Sequence, residues 1–324
     1  MKHTILVTLL IILIFFLAQV IGLYALSANI TAVTQTPEGE TIVEHADTAI
    51  GERPEIHGIE TFLYMLVAIL IGTGLILLLV RFRKFGIWKA MFFFAVWMTC
   101  SITLGVFIDP TLALIICVFF AFFKVIRPNI WIHNVTELLI YPGIAVIFVP
   151  LLDVTWVTLL LVAISAYDMF AVWKSKHMIG MAEFQTKSRA FAGVMISYKV
   201  KAAHKIAKAV KPLKGKRAAA AMAKHTALKE ERDEYKTAIL GGGDIAFPLI
   251  FAGVVMDSMI KMGVTKAAAF VYALVIPIVV AAALFSLLAF AKKDRFYPAM
   301  PFITVGCLAG YGILWLFNFG FALA

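Results

Sequence analysis

Charge is scarce in this chain, and cysteine scarcer still. Asp, Glu, Lys and Arg together make up 15% of 324 residues, against roughly 25% in a soluble domain. So few charges cannot cover the surface of a soluble fold of this size, and a hydrophobic content of 62% points the same way. The chain reads as an all-α polytopic membrane protein with little room for a soluble domain. Its three cysteines, Cys100, Cys117 and Cys307, all lie in apolar segments. They offer no metal-ligand spacing and no disulfide framework, and read as small apolar fillers. Neither a cofactor nor a metal is expected. Acids are rarer than bases, 19 against 29, which makes an acid inside an apolar run conspicuous.

What is present is a series of long apolar runs. A bilayer-spanning helix needs about 20 such residues, and nine candidates fit: 4–26, 59–80, 87–108, 111–126, 135–150, 154–173, 237–260, 267–290 and 298–322. The first is longer than the apolar core of a signal peptide and is read as a true span. Basic residues favour the cytoplasmic side. Arg81, Arg83, Lys84 and Lys89 follow the second run, Lys124 and Arg127 the fourth, and Lys292, Lys293 and Arg295 the eighth. Residues 174–236 carry sixteen Lys or Arg against five acids, and 27–58 carries six acids and only Arg53. The pattern predicts a cytoplasmic N-terminus and an extracellular C-terminus in the cell membrane, with Lys261 and Lys266 as the exceptions. It divides the chain into a six-helix part (1–173), a basic cytoplasmic loop (174–236) and a three-helix part (237–324).

Within the loop, Val200, Ala203, Ile206, Ala207 and Val210 fall on one helical face among lysines. This reads equally as an interfacial amphipathic helix and as a solvated linker; Pro212 and Gly215 end any helix there. Its charge suits anionic lipid headgroups, and without interleaved aromatics it excludes nucleic acid as a partner.

Glu60, Glu137 and Asp257 lie near the ends of runs, where interfacial solvation accounts for them. Asp168 and Asp244 do not. Asp168 precedes Lys174 by six residues, about 9 Å along a helix, and Asp244 follows Lys236 by eight, about 12 Å. On consecutive antiparallel spans the two acids share one shallow depth below the cytoplasmic face and can meet. Two close carboxylates share a proton and titrate as a unit, which supplies one base and one acid for hydrolysis of a peptide bond. Gly241, Gly242 and Gly243 precede Asp244, and Pro248 follows it. The glycines permit close approach of an unwound substrate and a non-helical start; Pro248 withholds the N–H that would pair with the carbonyl of residue 244. Pro298-Ala299-Met300-Pro301 opens the last run at matching depth, as an ordinary helix start or as irregular backbone able to hold an extended substrate. Gly306 and Gly310 form a close-packing element. Tyr167 reads equally as a hydrogen-bonding neighbour of the acids and as a core tyrosine.

Tyr167-Asp168, Gly241-Gly242-Gly243-Asp244 and Pro298-Ala299-Met300-Pro301 together resemble the YD, GxGD and PAL signatures of the presenilin and signal peptide peptidase family, with a likeness to archaeal presenilin homologues. Order and number of spans agree over nearly the whole chain. The resemblance implies a GxGD-type intramembrane aspartyl protease of presenilin-like fold. Asp168 and Asp244 would be its catalytic pair, and residues 298–301 would shape the site. Its substrates would be transmembrane-helix proteins, and the inferred orientation is that of presenilin. Met300 stands where the family has leucine, a similar volume. The 174–236 loop lacks the apolar segment that presenilin uses for self-cleavage, which counts against self-processing. Partner subunits are not implied, and a homo-oligomer is left open. The rival from another class is a cation or proton channel or transporter using the same acids. No inverted repeat supports it.

Overall fold

Short polar residues between the apolar runs start the helices. Asp109 accepts from the amides of Thr111 (2.9 Å) and Leu112 (3.1 Å) ahead of Pro110. Asn129 accepts from Trp131 N (2.9 Å) and Asp153 from Trp156 N (2.9 Å). Each satisfies an amide that the helix itself leaves unpaired. The computed structural model of the chain describes residues 5–36, 41–175, 177–188, 190–200, 234–290 and 297–317.

The helices are α1 (Ile5–Asn29), α2 (Ile59–Phe82), α3 (Phe85–Gly105), α4 (Pro110–Val125), α5 (Ile130–Phe148), α6 (Val154–Met169), α7 (His177–Ser188), α8 (Gly243–Lys261), α9 (Lys266–Ala273), α10 (Val275–Phe290) and α11 (Met300–Leu316). Two antiparallel hairpins accompany them: β1 (Ile30–Gln35) with β2 (Thr41–His45), and β3 (Gly193–Val200) with β4 (Glu234–Gly241). Among the described residues, seven helical segments are long and apolar enough to cross a bilayer. Pro110–Val125 and Met300–Leu316 are apolar but shorter.

Several boundaries differ from the sequence reading, each for a local reason. Residues 237–241 are strand, and the helix carrying Asp244 starts at Gly243. Ala238 and Leu240 are buried while Thr237 and Ile239 are exposed, the period of a half-buried strand, and β3 supplies the pairing partner. The 174–236 segment is therefore more than a loop: α7 and β3 lie within it. Residues 27–58, read as a plain external segment, contain the β1–β2 hairpin. The run at 267–290 breaks at Leu274, where Pro277 can neither donate to the carbonyl of Ala273 nor avoid crowding it. Val200 closes β3. The rest of the predicted amphipathic face (Ala203, Ile206, Ala207, Val210), Pro212, Gly215 and the cations Lys292, Lys293 and Arg295 lie outside the described residues.

α8 is the centre of the core. Nearly every residue from Ile245 to Ile260 is buried, and α1, α5, α6, α10, α11 and β2 all pack on it. The hairpins sit at its two ends. β4 leads into its first turn, and His45 of β2 meets Asp257 near its last, Nε2 to Oδ1 at 3.0 Å. Lys261 pairs with Asp257 at 2.8 Å. Asp257 is thus buried and ion-paired, and interfacial solvation is not what accounts for it. Lys266 donates to Ile30 O at 2.9 Å. The two cations that broke the orientation pattern therefore have partners within the protein.

α10 and α11 pack through the small residues singled out in the sequence. A Cβ at Gly306 would lie 3.0 Å from Val280 Cα, and one at Gly310 2.9 Å from Ile276 Cα. Backbone leaves no side chain to swing aside. Gly310→Ala is expected to cost about 1–3 kcal/mol, read as a lower thermal unfolding midpoint in detergent.

Candidate active site

Asp168 lies one residue before the end of α6, two residues before the π-turn over Phe170–Ser175. Such turns re-aim neighbouring side chains and recur at functional sites. The Asp168 side chain points at α11. Its Oδ2 accepts from the Met300 amide at 3.1 Å, and the Ala299 amide also bonds it. The start of α11 has no cap from its own side chains, so a carboxylate from another helix caps it. One turn back along α6, Ser165 meets Thr304 at 2.7 Å between hydroxyls. Ser165 and Asp168 lie three residues apart on one face, as Met300 and Thr304 lie four apart on the other, so a single stripe joins α6 to α11.

Pro298-Ala299-Met300-Pro301 is thereby explained as a helix start whose free amides serve Asp168. Pro298 and Ala299 precede the helix, which runs from Met300. Pro301 sits in the first turn, where its missing N–H costs nothing.

Asp244 occupies the first turn of α8, where the helix dipole favours an anion. The backbone of Gly241 bonds its carboxyl, and Asp168 lies within direct electrostatic range. Both acids are partly accessible. A Cβ on Gly241 would stand 3.1 Å from Asp244 Oδ2, so any larger residue here crowds the carboxylate. Across the hairpin, Gly193 pairs with Gly241 at φ +143°, with Leu240 O 2.3 Å from where a Cβ would be. Only glycine fits there.

The strand edges differ. Asn134 of α5 accepts from Met195 N (3.0 Å) and donates to Met195 O (2.8 Å), closing the outer edge of β3. Because antiparallel pairing alternates, the cross-strand partner Ile239 turns its N–H and C=O to the outer edge of β4. Among the described residues no backbone group meets them there. That edge runs toward Asp244.

Gly242 and Gly243 border a cavity of about 550 Å³ between α2, α3, α5 and α8, whose mostly apolar lining includes Phe92, Ile140 and Phe247 with Glu137 and Tyr141. Tyr167, next to Asp168 in sequence, donates its hydroxyl to Thr73 of α2 at 3.3 Å. This bond joins α6 to α2.

Glu137 requires a correction. Read from the sequence as an interfacial acid, it is fully buried. It accepts from Lys124 Nζ at 2.5 Å and from the Tyr141 hydroxyl. Lys124, read as a cytoplasmic flank, is likewise buried. The spacing of His133, Glu137 and Tyr141, four residues apart on one face, was the available signal. Gln19 of α1 gave no signal of its own; it donates to Ile245 O at 2.8 Å in the first turn of α8. Among the described residues no cluster of His, Cys, Asp and Glu could hold a metal.

A sequence search of curated proteins finds no match. Two solved structures of presenilin family intramembrane aspartate proteases, in P2 and C222 space groups, resemble the chain throughout. The first has a TM-score of 0.55 at 19% identity and covers 95% of this chain and 96% of its own. The second has a TM-score of 0.52 at 17% identity and covers 94% of each. At these identities the likeness is one of fold. The family described as signal-peptide peptidase, presenilin aspartyl protease matches residues 40–319. With apolar helices throughout and that match over most of its length, the chain is an integral multi-pass membrane protein that belongs to the presenilin and signal-peptide peptidase family of aspartyl proteases.

Proposed function

We propose that the chain is a GxGD-type intramembrane endopeptidase that cuts peptide bonds within transmembrane segments, with Asp168 and Asp244 as its catalytic pair. The observation that carries this is the convergence of two partly accessible carboxylates, each bonded by backbone amide groups, on neighbouring helices of one layer. The pair shares one proton. The ionised member takes a proton from water as the oxygen attacks the substrate carbonyl. The protonated member gives its proton to the carbonyl oxygen, forming a neutral gem-diol. On collapse a gem-diol hydroxyl returns its proton to the ionised member while the other member protonates the leaving nitrogen and the C–N bond breaks, so one shared proton remains.

A helical substrate hides its peptide bonds, so a segment must unwind before it is cut. The free edge of β4 at Ile239 offers main-chain partners to an extended segment leading to Asp244, with alternate side chains reaching the cavity. Gly241, Gly242 and Gly243 keep that approach open, while Pro298 to Pro301 shape the opposite wall. Tyr167 ties α6 to α2 at this level. We propose nine spans with the N-terminus cytoplasmic, so that α4 and α11 also cross. α4, of sixteen residues, reaches about 24 Å and fits only with local thinning of the bilayer. The basic segment 174–236 then meets anionic headgroups of the cell membrane.

Purified protein in lipid should cut a single-pass substrate within its membrane segment. Asp168→Asn and Asp244→Asn should each lower the rate by about 10²–10⁴-fold and abolish binding of an aspartyl transition-state mimic. Cleavage at the wild-type rate in both would overturn the assignment. Cation flux through liposomes that vanishes in Asp168→Asn, without any cleavage, would favour a channel.

The shared proton also sets the response to pH. At low pH both carboxyls are protonated and no base remains; at high pH both are ionised and no acid remains. The rate constant should therefore trace a bell, and a flat profile would count against a shared proton. Gly241→Ala, which crowds Asp244, should lower kcat by about tenfold or more. Gly242→Ala should cost less, because its Cβ would stand at ordinary contact distance, 3.4–3.6 Å, from the Tyr141 ring and hydroxyl and the Ala192 backbone.

A further inference from the structure

A polar stripe on α5 and α4 takes no part in the chemistry above. His133, Glu137 and Tyr141 occupy one face of α5, and Lys124 reaches them from α4. Lys124 Nζ bonds Glu137 Oε1 at 2.5 Å and the His133 carbonyl at 3.4 Å. The Tyr141 hydroxyl takes the other carboxylate oxygen, Oε2. Side-chain exposure of the ion pair is 0% for Lys124 and 1% for Glu137.

Stability does not explain such a pair. Removing two charges from water costs several kcal/mol per ion, and apolar residues of equal volume commonly serve a fold as well or better. In a bilayer-spanning bundle that alternative is readily available. What the pair does achieve is geometric. It fixes the rotamer of Tyr141, whose ring and hydroxyl lie against Gly242, with a Cβ there standing 3.4–3.5 Å away. It also fixes the backbone of α5 at His133, whose Nε2 donates to Gly193 O at 2.7 Å. Gly193 is the cross-strand partner of Gly241. Two contacts from one stripe thus bear on the strand-to-helix junction that ends in Asp244, one from each side of the hairpin base.

We propose that Lys124 and Glu137 are positioning residues for the reaction: through Tyr141 and His133 they hold the Gly241–Asp244 backbone in the conformation that aims the Asp244 carboxyl at Asp168. This rests on the protease reading, but the placement of the backbone can be measured without it. Glu137 and Tyr141 border the cavity while Lys124 and His133 do not, and the role proposed here is exerted through the backbone. It acts on the turnover step through the orientation of one acid.

The test compares Glu137→Gln, Tyr141→Phe and the neutral double variant Lys124→Met/Glu137→Leu with the wild-type protein, intact and in lipid nanodiscs. Amide hydrogen exchange is followed by mass spectrometry. Residues 239–246 should exchange about tenfold faster in Glu137→Gln and Tyr141→Phe, and residues 275–290 of α10 should not change. In the cleavage assay, kcat should fall by about 10- to 100-fold with KM within about twofold. The double variant removes the buried charges together, so its unfolding midpoint should return toward the wild type while kcat stays low. A purely structural pair would restore both. Unchanged exchange at 239–246 in Tyr141→Phe, the variant least able to disturb folding, overturns the proposal. So does full recovery of kcat in the double variant. Faster exchange at 239–246 together with undiminished cleavage by Asp168→Asn would leave the placement of the backbone standing and remove the catalytic-pair assignment beneath it.

Discussion

A carboxylate set among apolar helices is costly unless hydrogen-bond donors of the protein meet it. Here the donors are backbone amides. Asp168 takes them from Ala299 and Met300 at the unfilled start of α11, and Asp244 from the backbone of Gly241. Each acid is therefore bound to the beginning of a helix. That constraint brings α8 and α11 to one level beside the end of α6, and the rest of the bundle is arranged to keep them there.

The motifs then become parts of a single arrangement. Prolines at 298 and 301 bracket a start whose free amides face Asp168. Gly193 lets the hairpin base close where a side chain would collide, and Gly241 leaves room for the Asp244 carboxyl. The buried α8 carries its acid at one end. Its other end is anchored by Asp257, which is held between His45 and Lys261. Strong anchoring of α8 contrasts with the sparse packing of α2, most of whose large apolar side chains face outward.

The family match and the acids serve one another. Membership concerns the whole chain; which carboxylates act is a matter of local geometry. A pair of acids alone would suit a proton pathway equally well. The neighbouring free strand edge and the side-chain-free approach along three glycines are features that a peptide backbone would use and an ion would not.

The apolar runs, the helix-capping residues between them and the two acids stranded in apolar surroundings were determined by the sequence itself, because hydrophobic length and the cost of a buried charge are local properties. The same holds for the close-packing glycines at 306 and 310. Tertiary structure alone decided the rest. Residues 234–241 form a strand only because β3 lies beside them; Lys-Thr-Ala-Ile-Leu carries no mark that separates a strand from the start of a span. Glu137 and Lys124 looked like interfacial charges because each lies near the end of its run. They are buried because α4 and α5 pack so that each becomes the other's counter-ion, an event between residues thirteen positions apart. Asp168 was legible as an acid out of place, but its partner amides lie 132 residues away, and no local pattern encodes a contact made only when the bundle closes.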